Sequence, residues 1–263
     1  MIRTCVAFTL ALGLAAPAAA DVTIKQMTGG KGLGISGKAA TTTYIKRNKM
    51  RTDMPMDDKV QTTIFDLDAQ KMYMFDSKKK EADVWDMAAF SAQLGTSVDT
   101  ANMKGSIKPN GKTKQFGALS AAGYDLEITV PAMLAGNKDQ PITVTLAGPV
   151  WIVRDAPGAV DYSRFYNTAA EKGWIFGDPR AAKAQPGQAK AMADMYRRFA
   201  EIGGIPYETD IQIKMGGGGG PLGGLLARMG NISMTSTVED VQAGSVADDL
   251  FTPPAGYKLN EKK

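Results

Sequence analysis

The 263-residue sequence has no histidine and a single cysteine. Without imidazole there is no Ser-His-Asp triad, no histidine general base and no histidine-ligated metal. One thiol closes no internal disulfide and builds no cysteine zinc site. A strong charge of either sign is also missing. The 31 Lys and Arg stand against 27 Asp and Glu, and a net charge of +4 is too small for a nucleic-acid binder. After residue 20 no apolar run approaches the roughly 20 residues that a membrane helix needs. These absences predict a chain without metal or cofactor and without nucleic-acid partners.

Residues 1–20 read as a secretory signal peptide. Arg3 supplies the positive start, Cys5 to Ala16 the short apolar stretch, and Ala18-Ala19-Ala20 the cleavage site. Cleavage after Ala20 leaves 21–263 as one domain with no membrane-spanning segment. An alanine-rich leader without later disulfides predicts a periplasmic location.

Strand patterns dominate the mature chain. Val22–Met27 alternates, and Gly29–Gly37 reads as a loop. Thr41–Lys46 and Lys49–Met54 flank Arg47-Asn48 as a hairpin, and Val60–Leu67 and Lys71–Phe75 flank Asp68-Ala69-Gln70 as another. Glu81–Asp86 adds a strand. Asn110-Gly111 predicts a type I′ hairpin between Lys104–Lys108 and Lys112–Phe116. Tyr124, Leu126, Ile128 and Val130 alternate with polar residues, as a half-buried antiparallel strand requires. The same rhythm recurs near Ile142–Leu146, Tyr207–Met215 and Ile232–Val238, while Val150–Val153 is apolar on both faces.

Three segments switch to helical period. Asp86 caps a short helix carrying Met87, Phe90 and Leu94. Tyr162, Phe165, Tyr166 and Ala169 share a second helical face that stops at Gly173. Met192, Met195, Tyr196, Phe199 and Ile202 share a third, stopping at Gly203-Gly204. Residues 174–187 read as a connector. About ten strands and three helices predict an α+β, mainly β fold. The expected form is a curved antiparallel sheet, an open half-barrel with the helices in its concave side. A flexible glycine-rich insertion is expected at 216–229.

Tyr44–Arg51, Ala122–Asp125, Val150–Ile152, Gly204–Pro206 and Phe251–Tyr257 resemble, in order, segments of a family of exported bacterial proteins built on a domain of unknown function. That family is similar in layout to the outer-membrane lipoprotein carriers and to the sensor domain of an envelope-stress regulator. The resemblance implies a half-barrel plugged by helices with an apolar cavity between them. It carries over no catalytic residue. The hairpin near 104–117 and the insertion at 216–224 depart from the simpler carriers.

Other motifs are explained locally. Gly32 to Gly37 matches G-x-G-x-x-G, but a strand follows where a phosphate-binding helix should start. Met54-Pro55-Met56 and Met72-Tyr73-Met74 have the spacing of copper(I) sites, yet the strand period already puts such pairs on one face. Asp53, Asp57, Asp58, Asp66 and Asp68 read as turn acids rather than as an acid–base pair.

The function expected is a non-enzymatic binding protein, monomeric, that holds a lipid, acyl chain or lipidated peptide between sheet and helices. Its expected apolar walls are Trp85, Phe90, Leu94, Tyr124, Leu126, Trp151, Phe165, Met195 and Phe199, with Arg51 at the rim. The alternative is an envelope interaction or sensor module with a filled core and a protein partner, docking through an exposed apolar patch or the 216–229 segment.

Overall fold

The computed structural model describes residues 21–32, 35–95, 103–134, 137–174, 179–184, 186–217 and 232–262. Short turns between alternating segments generate a meander of six strands. These are β1 (Val22–Gly32), β2 (Ile35–Lys46), β3 (Lys49–Met56), β4 (Lys59–Asp66), β5 (Lys71–Asp76) and β6 (Glu81–Asp86). Arg47, Asp57 and Gln70 take the positive φ angles that three of these tight turns require. Helix α1 (Met87–Gly95) follows, its first turn held by the Ala89 N–H donating to Asp86 Oδ1 at 2.9 Å.

Three long strands come next: β7 (Lys104–Phe116), β8 (Leu119–Leu134) and β9 (Asn137–Val153). Then come helices α2 (Ala159–Glu171), α3 (Pro179–Ala184) and α4 (Pro186–Ile202). The chain closes with β10 (Ile205–Gly217), β11 (Ile232–Ala243), a 3-10 turn at Asp248–Phe251 and β12 (Lys258–Lys262). All twelve strands belong to one open sheet, ordered β12-β6-β5-β4-β3-β2-β1-β11-β10-β9-β8-β7. The fold is α+β and mainly β.

Several expectations need correction. The sheet has twelve strands rather than about ten. It is not wholly antiparallel, because β12 runs parallel to β6 from Lys258↔Glu81 to Lys262↔Trp85. Gly29 to Gly32 continue β1 and Gly37 lies within β2, where a loop was expected. Asn110-Gly111 is a bulge and not a hairpin. Residues on both sides of it pair with the same neighbour, Lys104–Pro109 with Tyr124–Thr129 and Thr113–Phe116 with Leu119–Ala122, so the chain continues along β8. Asn110 secures the bulge by donating to Asp125 Oδ1 at 3.0 Å and accepting from the Lys112 N–H at 3.1 Å. The connector at 174–187 contains α3. Beyond Gly217, the glycine-rich insertion lies outside the described residues.

Helices cover one face of the sheet. α2 ends in a Schellman motif: Trp174 N–H bonds Ala169 O, and Gly173 N–H, at positive φ, bonds Ala170 O. That turn drives the Trp174 ring into the core against Phe65, centroids 6.4 Å apart. α4 crosses β8 and β7 at Gly105. A Cβ there would lie 2.5 Å from Arg198 Nη2 and 2.7 Å from Asp194 Oδ2, so any larger residue would have to push that ion pair aside. Asp194 is buried and held by Arg198 Nε at 2.6 Å and by Arg197.

The reverse face carries a smaller core. Phe251, Val246, Leu250 and Tyr257 from the C-terminal segment cover Ile64, Phe75, Ala82 and Tyr73. Lys46 fastens this segment, reaching Asp248 Oδ1 at 2.9 Å, Val246 O at 2.6 Å and Asp21 Oδ2 at 3.5 Å. The Lys46 ammonium is raised above its ordinary 10.5, chiefly by its bond to Asp248. Asp248 is lowered in return, chiefly by its bond to Lys46.

Candidate ligand-binding site

Register lines up chemically distinct rows on the helix-covered face of β2–β5. One row is apolar: Ile45, Met50, Phe65 and Met72 face one another across the four strands. The next runs Thr43, Thr52, Thr63 and Met74, with the Thr43 and Thr52 hydroxyls 3.2 Å apart. Beyond it Met54 faces Gln61 and Met56 faces Lys59. Helix α2 sits on the apolar row, where the Tyr166 hydroxyl donates to Met50 Sδ at 3.5 Å.

Among the described residues, none fills the space over the rows beyond that. A cleft of about 550 Å³ lies over them. Its floor is Thr43, Thr52, Thr63, Gln61 and the thioethers of Met50, Met54, Met56 and Met74; Tyr166 and Tyr196 wall its inner end. Arg180 of α3 is the one charged side chain among the described residues that line it. The volume falls in the range usual for small-ligand sites, and flexible thioethers let a wall adapt to what it holds.

A second, smaller chamber of about 100 Å³ adjoins the cleft. Gln26, Thr43, Tyr166 and Tyr196 border both spaces. The rest of its lining mixes Ile24, Met195, Phe199, Ile205, Ile211 and Met234 with Thr28, Thr209, Thr235 and Ser236. The Tyr166 and Tyr196 rings stack at 5.0 Å with planes 10° apart, and Tyr162 lies 4.6 Å from Tyr166. Burial raises all three phenols above their ordinary value, so they stay neutral through the physiological range.

The expected site residues scatter. Met195 and Phe199 line the small chamber, and none of the ten lines the larger cleft. Arg51 is not at the rim. It lies on the reverse face, where its guanidinium pairs with Asp53 at 2.9 Å and donates to Leu250 O at 3.0 Å. The cause is parity: Met50, Thr52, Met54 and Met56 occupy one face of β3, and Arg51 and Asp53 therefore point the other way. That alternation is visible in the sequence and was the available signal for the cleft floor.

Trp85 and Phe90 pack edge to face at 5.8 Å between β6 and α1, with the Lys183 ammonium 5.4 Å from the Trp85 ring. The Leu94 side chain lies outside the described residues. Leu126 is buried in the core below α4, and Tyr124 accepts a 2.8 Å bond from Arg154 Nη2. Trp151 is half-buried, with the Lys114 ammonium 5.9 Å from its ring. Phe165 is fully buried in α2.

No protein-family model matches this chain, and no curated protein matches it. Among solved structures it is similar to the one described as "Structure of PNGF-II in C2 space group", at 12% identity and a TM-score of 0.37. The match covers 93% of this chain and 31% of that one, so this chain spans less than a third of that structure. So slight a likeness carries no argument about function.

Proposed function

We propose that the protein is an exported, periplasmic, non-enzymatic binding protein, cleaved after Ala20, that holds a lipid, acyl chain or lipidated peptide between sheet and helices. In this reading the sheet face under the helices works as the trough of a carrier-like half-barrel. The observation that supports it is the cleft of about 550 Å³ beside α2, with its floor of thioethers and threonines. Apolar walls reward burial of a chain by about 25 cal/mol per Å². Hydroxyls and amides meet the parts of a ligand that stay polar. The interaction-module reading needs an exposed apolar patch. The large exposed apolar residues among those described are Met56, Val160 and Leu259, placed on β3, α2 and β12.

The test is native mass spectrometry on the exported protein purified without detergent. Delipidation and re-uptake of palmitate or a lysophospholipid complete it. The expected result is a retained lipid mass, and uptake weakened when Met54→Asp places a charge on the cleft floor. A protein that neither carries nor takes up any acyl ligand would overturn the reading.

A further inference from the structure

The two adjoining spaces differ in size, about 550 Å³ for the cleft and about 100 Å³ for the chamber. The cleft is open, floored by hydroxyl, amide and thioether groups, and bordered by the Arg180 cation with no carboxylate among its described lining residues. The chamber is smaller, and its lining mixes Ile24, Phe199 and Ile211 with Thr28, Thr209 and Ser236. Between them stand Tyr166 and Tyr196, stacked ring on ring. An acyl chain lying in the cleft with its acidic or amide end outward would run its methyl end into this pair.

We infer that the Tyr166–Tyr196 stack is a length stop, which sets the longest acyl chain the cleft accepts and keeps the chamber behind it in reserve. This rests on the acyl-binding reading and adds the residue pair that determines specificity. The stack suits the role for three reasons. Its rings stack at 5.0 Å and are uncharged, so a chain end meets a flat aromatic barrier and displaces no charge. Tyr166 is fixed by its hydroxyl bond to Met50 Sδ and by edge contact with Phe165 at 5.5 Å. Tyr196 sits on α4 one turn before Phe199, its ring 6.3 Å from that phenylalanine, so shortening it joins the cleft to the chamber without disturbing the sheet.

The experiment measures Kd for a series of straight acyl chains from six to eighteen carbons. Each length is offered both as a free alkanoate and as an N-acylated short peptide, which separates a free fatty acid from a lipidated peptide as the source of the chain. Wild type should tighten with length up to a cutoff and then weaken. Tyr196→Ala should move the cutoff to chains at least two carbons longer, each newly buried methylene tightening binding about fourfold. Tyr196→Phe should keep the wild-type cutoff. Tyr196→Ala combined with Phe199→Trp, which refills the chamber, should restore it. If Tyr196→Ala fails to fold by thermal melting, Tyr196→Leu serves in its place with the same expected direction. Binding with an unchanged cutoff in the shortened variants overturns the length stop and leaves the acyl-binding reading standing. Absence of binding by wild type at every length overturns that reading, and the stop with it.

Discussion

The two halves of the helix-covered face solve the same problem differently. On the β8–β11 side the inward rows are Leu126, Ile128 and Val130, then Val144 and Leu146, then Ile211 and Ile213, and α4 lies directly on them. That half is tightly packed apart from the small chamber at its edge, and Phe199 is 2% exposed at its centre. On the β2–β5 side only the row through Ile45, Met50, Phe65 and Met72 is fully apolar and covered. The next rows are Thr, Gln and Met, and there the cleft lies. Helices follow the greasy rows, because burying threonine and glutamine without partners would cost more than it returns. Among the described residues, the cleft lies where the strand pattern changes partway along β2–β5.

If this contrast is right, mutations should cost most in the tightly packed half. Phe199→Ala should lose about 3–5 kcal/mol of unfolding free energy in chemical denaturation, through lost burial and the cavity left behind. A loss below about 1 kcal/mol would mean that α4 is not packed tightly on the sheet. Gly148→Ala should cost about 3 kcal/mol, since its Cβ would lie 1.9 Å from Asp210 O at the β9–β10 seam. Thermal melting reads this loss directly. Met54→Ala, on the cleft floor, should cost less than about 1 kcal/mol, because its side chain borders open space instead of a packed neighbour. A cost as large as that of Phe199→Ala would show that the cleft is filled in solution.

The smallest effect concerns the reverse face. Asp248 is lowered and Lys46 raised, so their bond is intact between the ordinary values of 3.8 and 10.5. Its contribution is lost as pH falls through the lowered value of Asp248, and again as pH rises through the raised value of Lys46. The amide of Val246, which donates to Asp21 Oδ2 at 2.9 Å, reports on the segment. Its hydrogen-exchange protection, corrected for intrinsic rate, should stay level across that window and fall on the acid side. Lys46→Met should lower it at neutral pH. Protection that ignores both changes would show that Lys46 does not fasten the segment.

Much of the architecture was legible because it is local. Alternation along Tyr124–Val130 and Tyr207–Met215 marks half-buried strands, and the helix faces of α2 and α4 are plain in their spacing. The Asp86 cap is equally a matter of neighbours. What escaped depends on distant partners. Lys258–Lys262 has no apolar alternation, and only its place beside β6 makes it a strand. Asn110-Gly111 carries a hairpin signature, yet the shared partner β8 turns it into a bulge.

The site was less legible than the fold. Large aromatics such as Trp85, Trp151 and Phe165 were expected to wall a cavity, but size alone makes such side chains core material. The cleft floor is made of smaller and softer residues, whose significance depends on what fails to cover them. Arg51 shows the same lesson from the other side: its parity on β3 was readable, while the segment it binds lies nearly two hundred residues away in sequence.

Strand β12 lies beside β6, and the segment before it is tied to Asp21, just ahead of β1. More than 170 residues separate these two paired strands, so β6 is formed by its neighbours long before chain order brings β12 to it. With β12 displaced, β6 would offer an unsatisfied row of amides and carbonyls to any passing strand, so Lys258–Lys262 guards the sheet against pairing with its own copies.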